Sequence, residues 1–210
     1  MFKMEGSYFI TGIDTGCGKT VASAILTQAL RAHYWKPVQC GDLEATDRSF
    51  VESVVCDNTK EKILSERFKF KLPQSPHLAS EVEGVDIQLS DFSLPKLKSP
   101  VVVEGAGGVL VPLNKKDLMI DLIEHLGLPV VLVVKHYLGS LNHTLLTVEA
   151  LRQRGILISG LIMNGNDNGN FSKFLCDKTD LPCLFSVPFI SDLSKNVIQN
   201  WASGFRKEHL

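Results

Sequence analysis

The chain has 210 residues, 44% of them apolar and 21% charged, with a formal net charge of −1. Those values suit a globular chain that folds as one domain over 1–210, and they exclude the basic stripe that nucleic acid or an anionic membrane requires. Five scattered cysteines with no C-x-x-C pair argue against a disulfide framework and against a zinc site.

The opening residues "MFKMEGSYFI" lack the longer apolar segment and small-residue cleavage site of a secretory leader. No apolar run approaches the roughly 18 residues of a membrane span, so a soluble cytoplasmic protein is expected. Residues 7–12, "SYFITG", read as a strand, and 19–34, "KTVASAILTQALRAHY", as a helix with apolar positions at i, i+3 and i+4. A second strand is expected over 35–40, "WKPVQC". Residues 41–98 are the least regular stretch, and "KLPQSPHLASEVEG" carries turn-formers with little periodicity. The runs "SPVVVEGAGG" (99–108), "LPVVLVVK" (128–135) and "ILISGLIMN" (156–164) suit strands buried on both faces, with "CLFSVP" (183–188) a weaker one. Helices are expected over 116–126, 140–154, 170–178 and 191–202. Strands alternating with helices predict an α/β fold with a mainly parallel sheet covered on both faces, and ligands beyond the carboxyl ends of its strands.

The stretch "TGIDTGCGKT" (11–20) joins the first strand to the first helix. Its glycines let successive N–H groups turn inward around an anion, Lys19 reaches the β- and γ-phosphates, and Thr20 offers a hydroxyl to Mg²⁺. Five residues separate Gly12 from Gly18, one more than the G-x-x-x-x-G-K-[ST] spacing. Cys17 sits beside Lys19 at a helix start, an environment that activates a thiol, so alkylation blocked by nucleotide is expected there.

A phosphoryl-transfer site also needs acidic groups around a metal. Glu104 follows "VVV" directly, which places it at a strand end near the loop. Asp47 is a second candidate acid, although its spacing suits a helix N-cap. Lys36 opens a short strand, a place where lysine is usually exposed, and Asn164 ends "LIMN", where a turn role is common. His77 and His143 read as capping or packing residues. The residues alone lead to a Mg²⁺-dependent nucleotide hydrolase or phosphotransferase.

Taken in order, "TGIDTGCGKT", "WKPVQCG", "TD", "SPHLA", "VVVEGAGG", "LPVVLVV", "LGSLNHTLLT" and "LIMN" resemble the dethiobiotin synthetases, a P-loop family of biotin synthesis. The resemblance runs from residue 8 to about residue 190. It implies that ATP, CO₂ (or bicarbonate) and 7,8-diaminononanoate give dethiobiotin, ADP and phosphate, with Mg²⁺ as cofactor. It also implies a homodimer with shared active sites. On that resemblance Lys19 and Lys36 flank the carbamate and the γ-phosphate, and Thr20, Asp47 and Glu104 hold the metal. Gly16, Cys17, Gly18, Lys19, Thr20, Val21, Asp47, Glu104, Gly105, Ala106 and Gly107 border the nucleotide phosphates. Asn164 and Gly165 read the adenine, with Val187, Pro188 and Phe189 beside the base. Cys40 borders the diamine, and Leu138, Gly139, Ser140 and Asn142 reach across a two-fold axis to its far carboxylate.

The family usually carries a Ser or Thr where this chain has Cys40, and the loop between Gly41 and Asp47 is short for it. The alternative within the superfamily is a regulatory ATPase of the partitioning or cell-division kind. Such proteins typically carry a lysine early in the loop, where this chain has Asp14 and Thr15. A related amide-forming synthase of cobalamin synthesis would need a glutaminase domain for which 210 residues leave no room.

Overall fold

The structure, a computed structural model, describes residues 4–166, 169–189 and 192–210. Its main sheet is built from Tyr8–Gly12 (β1), His33–Trp35 (β2), Val101–Gly108 (β5), Val130–Lys135 (β6), Ile158–Asn164 (β7) and Cys183–Val187 (β8). They lie in the order β2-β5-β1-β6-β7-β8, and every pairing is parallel. The valine-rich runs occupy its middle because β-branched side chains pack well where a strand is covered on both sides. From β1 the chain steps to one side for β2 and returns to the other for β6 to β8. The crevice at that reversal, beyond the carboxyl ends of β1 and β5, is where such sheets bind ligands.

The helix Lys19–Leu30 (α1) packs on β1 and β5, Met119–Leu126 (α5) on β5, and Ser140–Gln153 (α6) on β6 and β7. Asn170–Thr179 (α7) lies against α6. The last helix, Lys195–His209 (α8), covers α1 and β8. Its Arg206 donates from Nη2 to Ala29 O (2.6 Å) and Gln28 O (3.1 Å), satisfying end carbonyls of α1 with a cation at the negative end of that helix.

Four expectations need correction. The first helix stops at Leu30, not 34, because Arg31 turns into the left-handed region (φ 51°), and His33–Trp35 then pair with Val101–Val103. Aromatic side chains beside a valine strand outweigh a continued helical period. The strand expected over 35–40 is split at Pro37. Val38–Cys40 (β3) leaves the main sheet and pairs with Phe68–Phe70 (β4) in a separate two-stranded parallel ladder. The 41–98 stretch is more ordered than its composition suggests, with helices at Asp47–Val54 (α2), Asp57–Lys60 (α3) and Pro76–Val82 (α4). An aromatic cluster fastens it, with Phe92 5.6 Å from Phe68 and 6.4 Å from Trp35 between ring centres. The C-terminal helix begins at Lys195 and runs on to His209, and of the expected 191–202 span Ser191 lies outside the described residues.

Candidate active site

The phosphate loop hangs between β1 and α1. A Cβ on Gly12 would come within 2.1 Å of Cys17 Sγ, and one on Gly18 (φ 97°) within 2.1 Å of Asn164 Nδ2, so neither position accepts a side chain. Asn164, at the end of β7, donates from Nδ2 to Cys17 O at 2.8 Å and pins the loop from the neighbouring strands. Lys19 Nζ donates to Asp14 O at 3.0 Å, so the lysine folds back across its own loop. Cys17 is 1% exposed, its sulfur tucked against Gly12 and 4.0 Å from Lys19 Nζ. The expectation of a readily alkylated thiol there is therefore corrected: the sulfur faces the interior, and what the loop can offer a phosphate is its backbone.

Beside the loop, five side chains from distant elements meet. Thr20 Oγ1 lies 2.9 Å from Asp47 Oδ1 and 2.9 Å from Glu104 Oε1, and its single proton can serve one of them at a time. Lys36 Nζ lies 2.7 Å from Asp47 Oδ2 and 3.0 Å from Glu104 Oε1, and also donates to Gly105 O at 3.1 Å. Tyr34 Oη donates to Glu104 Oε2 at 2.8 Å. The register explains the meeting: Trp35 pairs with Val103, which brings the next residues, Lys36 and Glu104, level on adjacent chains.

Lys36 is buried, contrary to the usual place of a lysine at a strand end. Burial works against its charge, but Glu104 and Asp47 outweigh it and hold its pKa above the ordinary lysine value. Burial likewise opposes ionisation of Asp47, yet Lys36 and the hydrogen bond from Thr20 keep its carboxyl below the usual range. Lys36 is thus a fixed cation at neutral pH, not a base. Asp47 is the first residue of α2, whereas Thr46 is the cap and accepts from Ser49 N, so the helix start aims Asp47 at the site.

Thr20, Asp47 and Glu104 form an all-oxygen donor set, the kind a hard divalent cation takes. Among the described residues no group of three or more His, Cys, Asp or Glu could hold a metal. Three oxygen donors would make part of a coordination shell, as fits a cation that shares its ligands with nucleotide phosphates.

A cleft of about 630 Å³ gathers Gly16, Gly18, Lys19, Thr20, Val21, Lys36, Cys40, Asp47, Glu104, Ala106 and Gly107. Gly105 adjoins it through its carbonyl on Lys36. Burial pushes the Cys40 thiol up to about 11, so it is protonated at neutral pH. A second group lies where β7 and β8 end: Asn164 pairs with Val187, Gly165 N donates to Val187 O at 2.9 Å, and Phe189 N donates to Asn166 Oδ1. Pro188 lies between Val187 and Phe189, and Phe189 is 74% exposed. Asn164 bridges the two groups, through Cys17 O.

Leu138, Gly139, Ser140 and Asn142 do not line this chain's own cleft. They form the start of α6, where Ser140 Oγ bonds Tyr137 O at 2.7 Å and Leu138 projects fully into solvent. His77 sits half-buried at the start of α4 against Ser75 Oγ (2.9 Å), as a capping residue would, whereas His143 is exposed and bonds the Tyr137 hydroxyl (2.7 Å), so its expected packing role is corrected.

Two residues of the site were not anticipated. Tyr34 could have been found by strand alternation, since i and i+2 point to one face and Lys36 follows it by two. Gln39 takes Asp47 N on Oε1 (3.4 Å) and gives Nε2 to Gly41 O (3.1 Å), bracing both ends of the short 41–47 loop. Nothing in its local sequence signals that role.

The family model described as an AAA domain matches residues 6–197. The ATP-dependent dethiobiotin synthetase BioD of Christiangramia forsetii is 41% identical over 204 residues, covering 97% of this chain and 98% of that protein. The protein of the same name from Rhodopseudomonas palustris is 43% identical, covering 90% of each. Among solved structures, a ParA family ATPase from Chlorobium tepidum superposes with a TM-score of 0.52 at 14% identity, over 97% of this chain and 91% of that one. That likeness is one of fold. With relatives so similar along nearly its full length, the chain belongs to the dethiobiotin synthetase family.

Proposed function

We propose that this chain, as one domain over 1–210, uses ATP to close a cyclic urea on 7,8-diaminononanoate with CO₂, giving dethiobiotin, ADP and phosphate. One amine adds CO₂ and loses a proton to become a carbamate. A carbamate oxygen then attacks the γ-phosphorus, and the bond from that phosphorus to ADP breaks. The neighbouring amine attacks the carbonyl of the mixed anhydride, loses a proton, and phosphate departs with the C–O bond pair. These steps need charge neutralisation and no protein nucleophile. The observation that carries the reading is Lys36, a buried cation sharing one cleft with Lys19, Thr20 and Cys40.

Held protonated by Asp47 and Glu104, Lys36 offsets the charge that develops between carbamate and γ-phosphate. Lys19 and the loop N–H groups orient the phosphates. Thr20, Asp47 and Glu104 would hold Mg²⁺, which would supply further charge neutralisation at the phosphates. The strand-end group of Asn164, Gly165, Val187, Pro188 and Phe189 receives the adenine. An apolar groove of about 420 Å³ lined by Ile13, Val109, Leu110 and Leu146 lies next to Asp14 of the loop and suits an aliphatic chain.

The Leu138–Asn142 segment serves the neighbouring subunit of a two-fold dimer. The support is that its residues do not line this chain's own cleft, together with the exposed leucines Leu110, Leu138 and Leu146.

The deciding assay is phosphate release from ATP in bicarbonate buffer with and without the diamine. Release that depends on the diamine is expected. Hydrolysis indifferent to it would replace this reading with a regulatory ATPase.

A further inference from the structure

We propose that Tyr34 is a positioning residue for the metal-binding carboxylate: its buried hydroxyl holds Glu104 Oε2 so that Oε1 stays turned toward Thr20 and Lys36. The inference rests on the reading of Thr20, Asp47 and Glu104 given above. The terminal torsion of a glutamate is soft, so a carboxylate held at one oxygen alone rotates readily. Here each oxygen is held. Oε1 faces Thr20 and Lys36, and Oε2 accepts from Tyr34 at 2.8 Å.

The phenol is itself fixed. Tyr34 is 0% exposed, its N–H donates to Lys62 O at 3.0 Å, and its carbonyl accepts from Leu64 N at 2.8 Å. It also pairs in register with Val102, two residues before Glu104. A hydroxyl on a strand braced from both edges is a fixed donor, the kind of support that sets a metal ligand's orientation. Were the ring only a core filler, phenylalanine would serve equally well. The hydroxyl has a specific partner in a nearly dry carboxylate, which is 1% exposed.

The test compares wild type, Tyr34→Phe, Glu104→Gln and the double variant. Manganese binding in the presence of ADP is read by electron paramagnetic resonance, and ADP binding in EDTA by calorimetry. Thermal melts check that each variant is folded. Tyr34→Phe should weaken Mn²⁺ binding about 10- to 100-fold while leaving metal-free ADP affinity unchanged. Adding Tyr34→Phe to Glu104→Gln should cost nothing further, because the hydroxyl acts through that carboxylate. Wild-type Mn²⁺ affinity in Tyr34→Phe would overturn the proposal. So would an equal loss of metal-free ADP binding, or a full additional loss in the double variant. If wild type itself binds ADP no better with Mn²⁺ than without, the reading of the three ligands falls and this inference with it. Failure of the variant comparison alone leaves that reading standing.

Discussion

Lys36 Nζ and Asp47 Oδ2 lie 2.7 Å apart, and the same ammonium is 3.0 Å from Glu104 Oε1. One cation therefore spans two carboxylates, one at a helix start and one within β5, which runs on to Gly108 and so does not end at Glu104 as expected. Most of what can be tested about the site follows from that bridge.

Lys36→Ala removes the cation that bridges Asp47 and Glu104, the charge proposed to face the reacting groups. Diamine-dependent turnover should fall about 10²- to 10³-fold, a typical cost for one electrostatic contact to a transition state. Nucleotide binding should suffer less, because Lys19 and the loop remain. Steady-state rates together with calorimetric ATP binding check both halves. Near-normal turnover would refute the role given to Lys36.

Lys19→Ala and Glu104→Ala should each abolish turnover, and they should differ in binding. Losing Lys19 should weaken nucleotide with or without metal, since its proposed partner is the phosphate itself. Losing Glu104 weakens it only when metal is present. ADP titrations in EDTA and in excess Mg²⁺ separate the two, and identical behaviour would count against the assigned roles.

The bridge also predicts how stability depends on pH. Asp47 has a folded-state pKa below its ordinary 3.8, so its contribution is present above that value and is lost as pH falls through the lower folded one. Lys36 is held above its ordinary 10.5, so its contribution is full below that value and is lost only as pH rises past it. Melting temperatures should therefore be indifferent to this pair at mid-range pH and fall below about pH 4. In Asp47→Asn the acid-side slope should be shallower than in wild type, and an unchanged slope would remove Asp47 from the account.

Cys40 is pushed up to about 11 by burial, so it presents a neutral thiol, a weak donor, to the cleft. Cys40→Ser restores a hydroxyl and should lower KM for the diamine several-fold with little change in kcat. An unchanged KM would mean that the thiol does not touch the substrate.

Assembly can be tested with two inactive variants, Lys36→Ala and one disrupting Asn142. After subunit exchange, a mixed dimer with shared sites has one site carrying both changes and one carrying neither. Random mixing should return roughly a quarter of wild-type activity per subunit. A mixture confirmed as mixed dimers that stays inactive would remove the shared-site reading and leave the chemistry intact.

Much of this molecule follows from local pattern. The strands within 7–12, 99–108, 128–135 and 156–164 were legible because unbroken β-branched stretches suit strands covered on both faces. The phosphate loop was legible because its glycines, lysine and threonine act within a few consecutive residues. Where contacts span the chain, the sequence was silent. Tyr34 and Lys36 meet Glu104 only because Trp35 pairs with Val103, and strand register is a property of the assembled sheet. Asn164 reaches Cys17 O across 147 positions because β1, β6 and β7 lie in order. Cys17 looked like an exposed, activated thiol from its neighbours in sequence, yet the loop's curvature turns its sulfur against Gly12. The division at Pro37 and the separate β3–β4 ladder depend on an aromatic cluster drawn from Trp35, Phe68, Phe70 and Phe92, contacts that no window of a few residues contains.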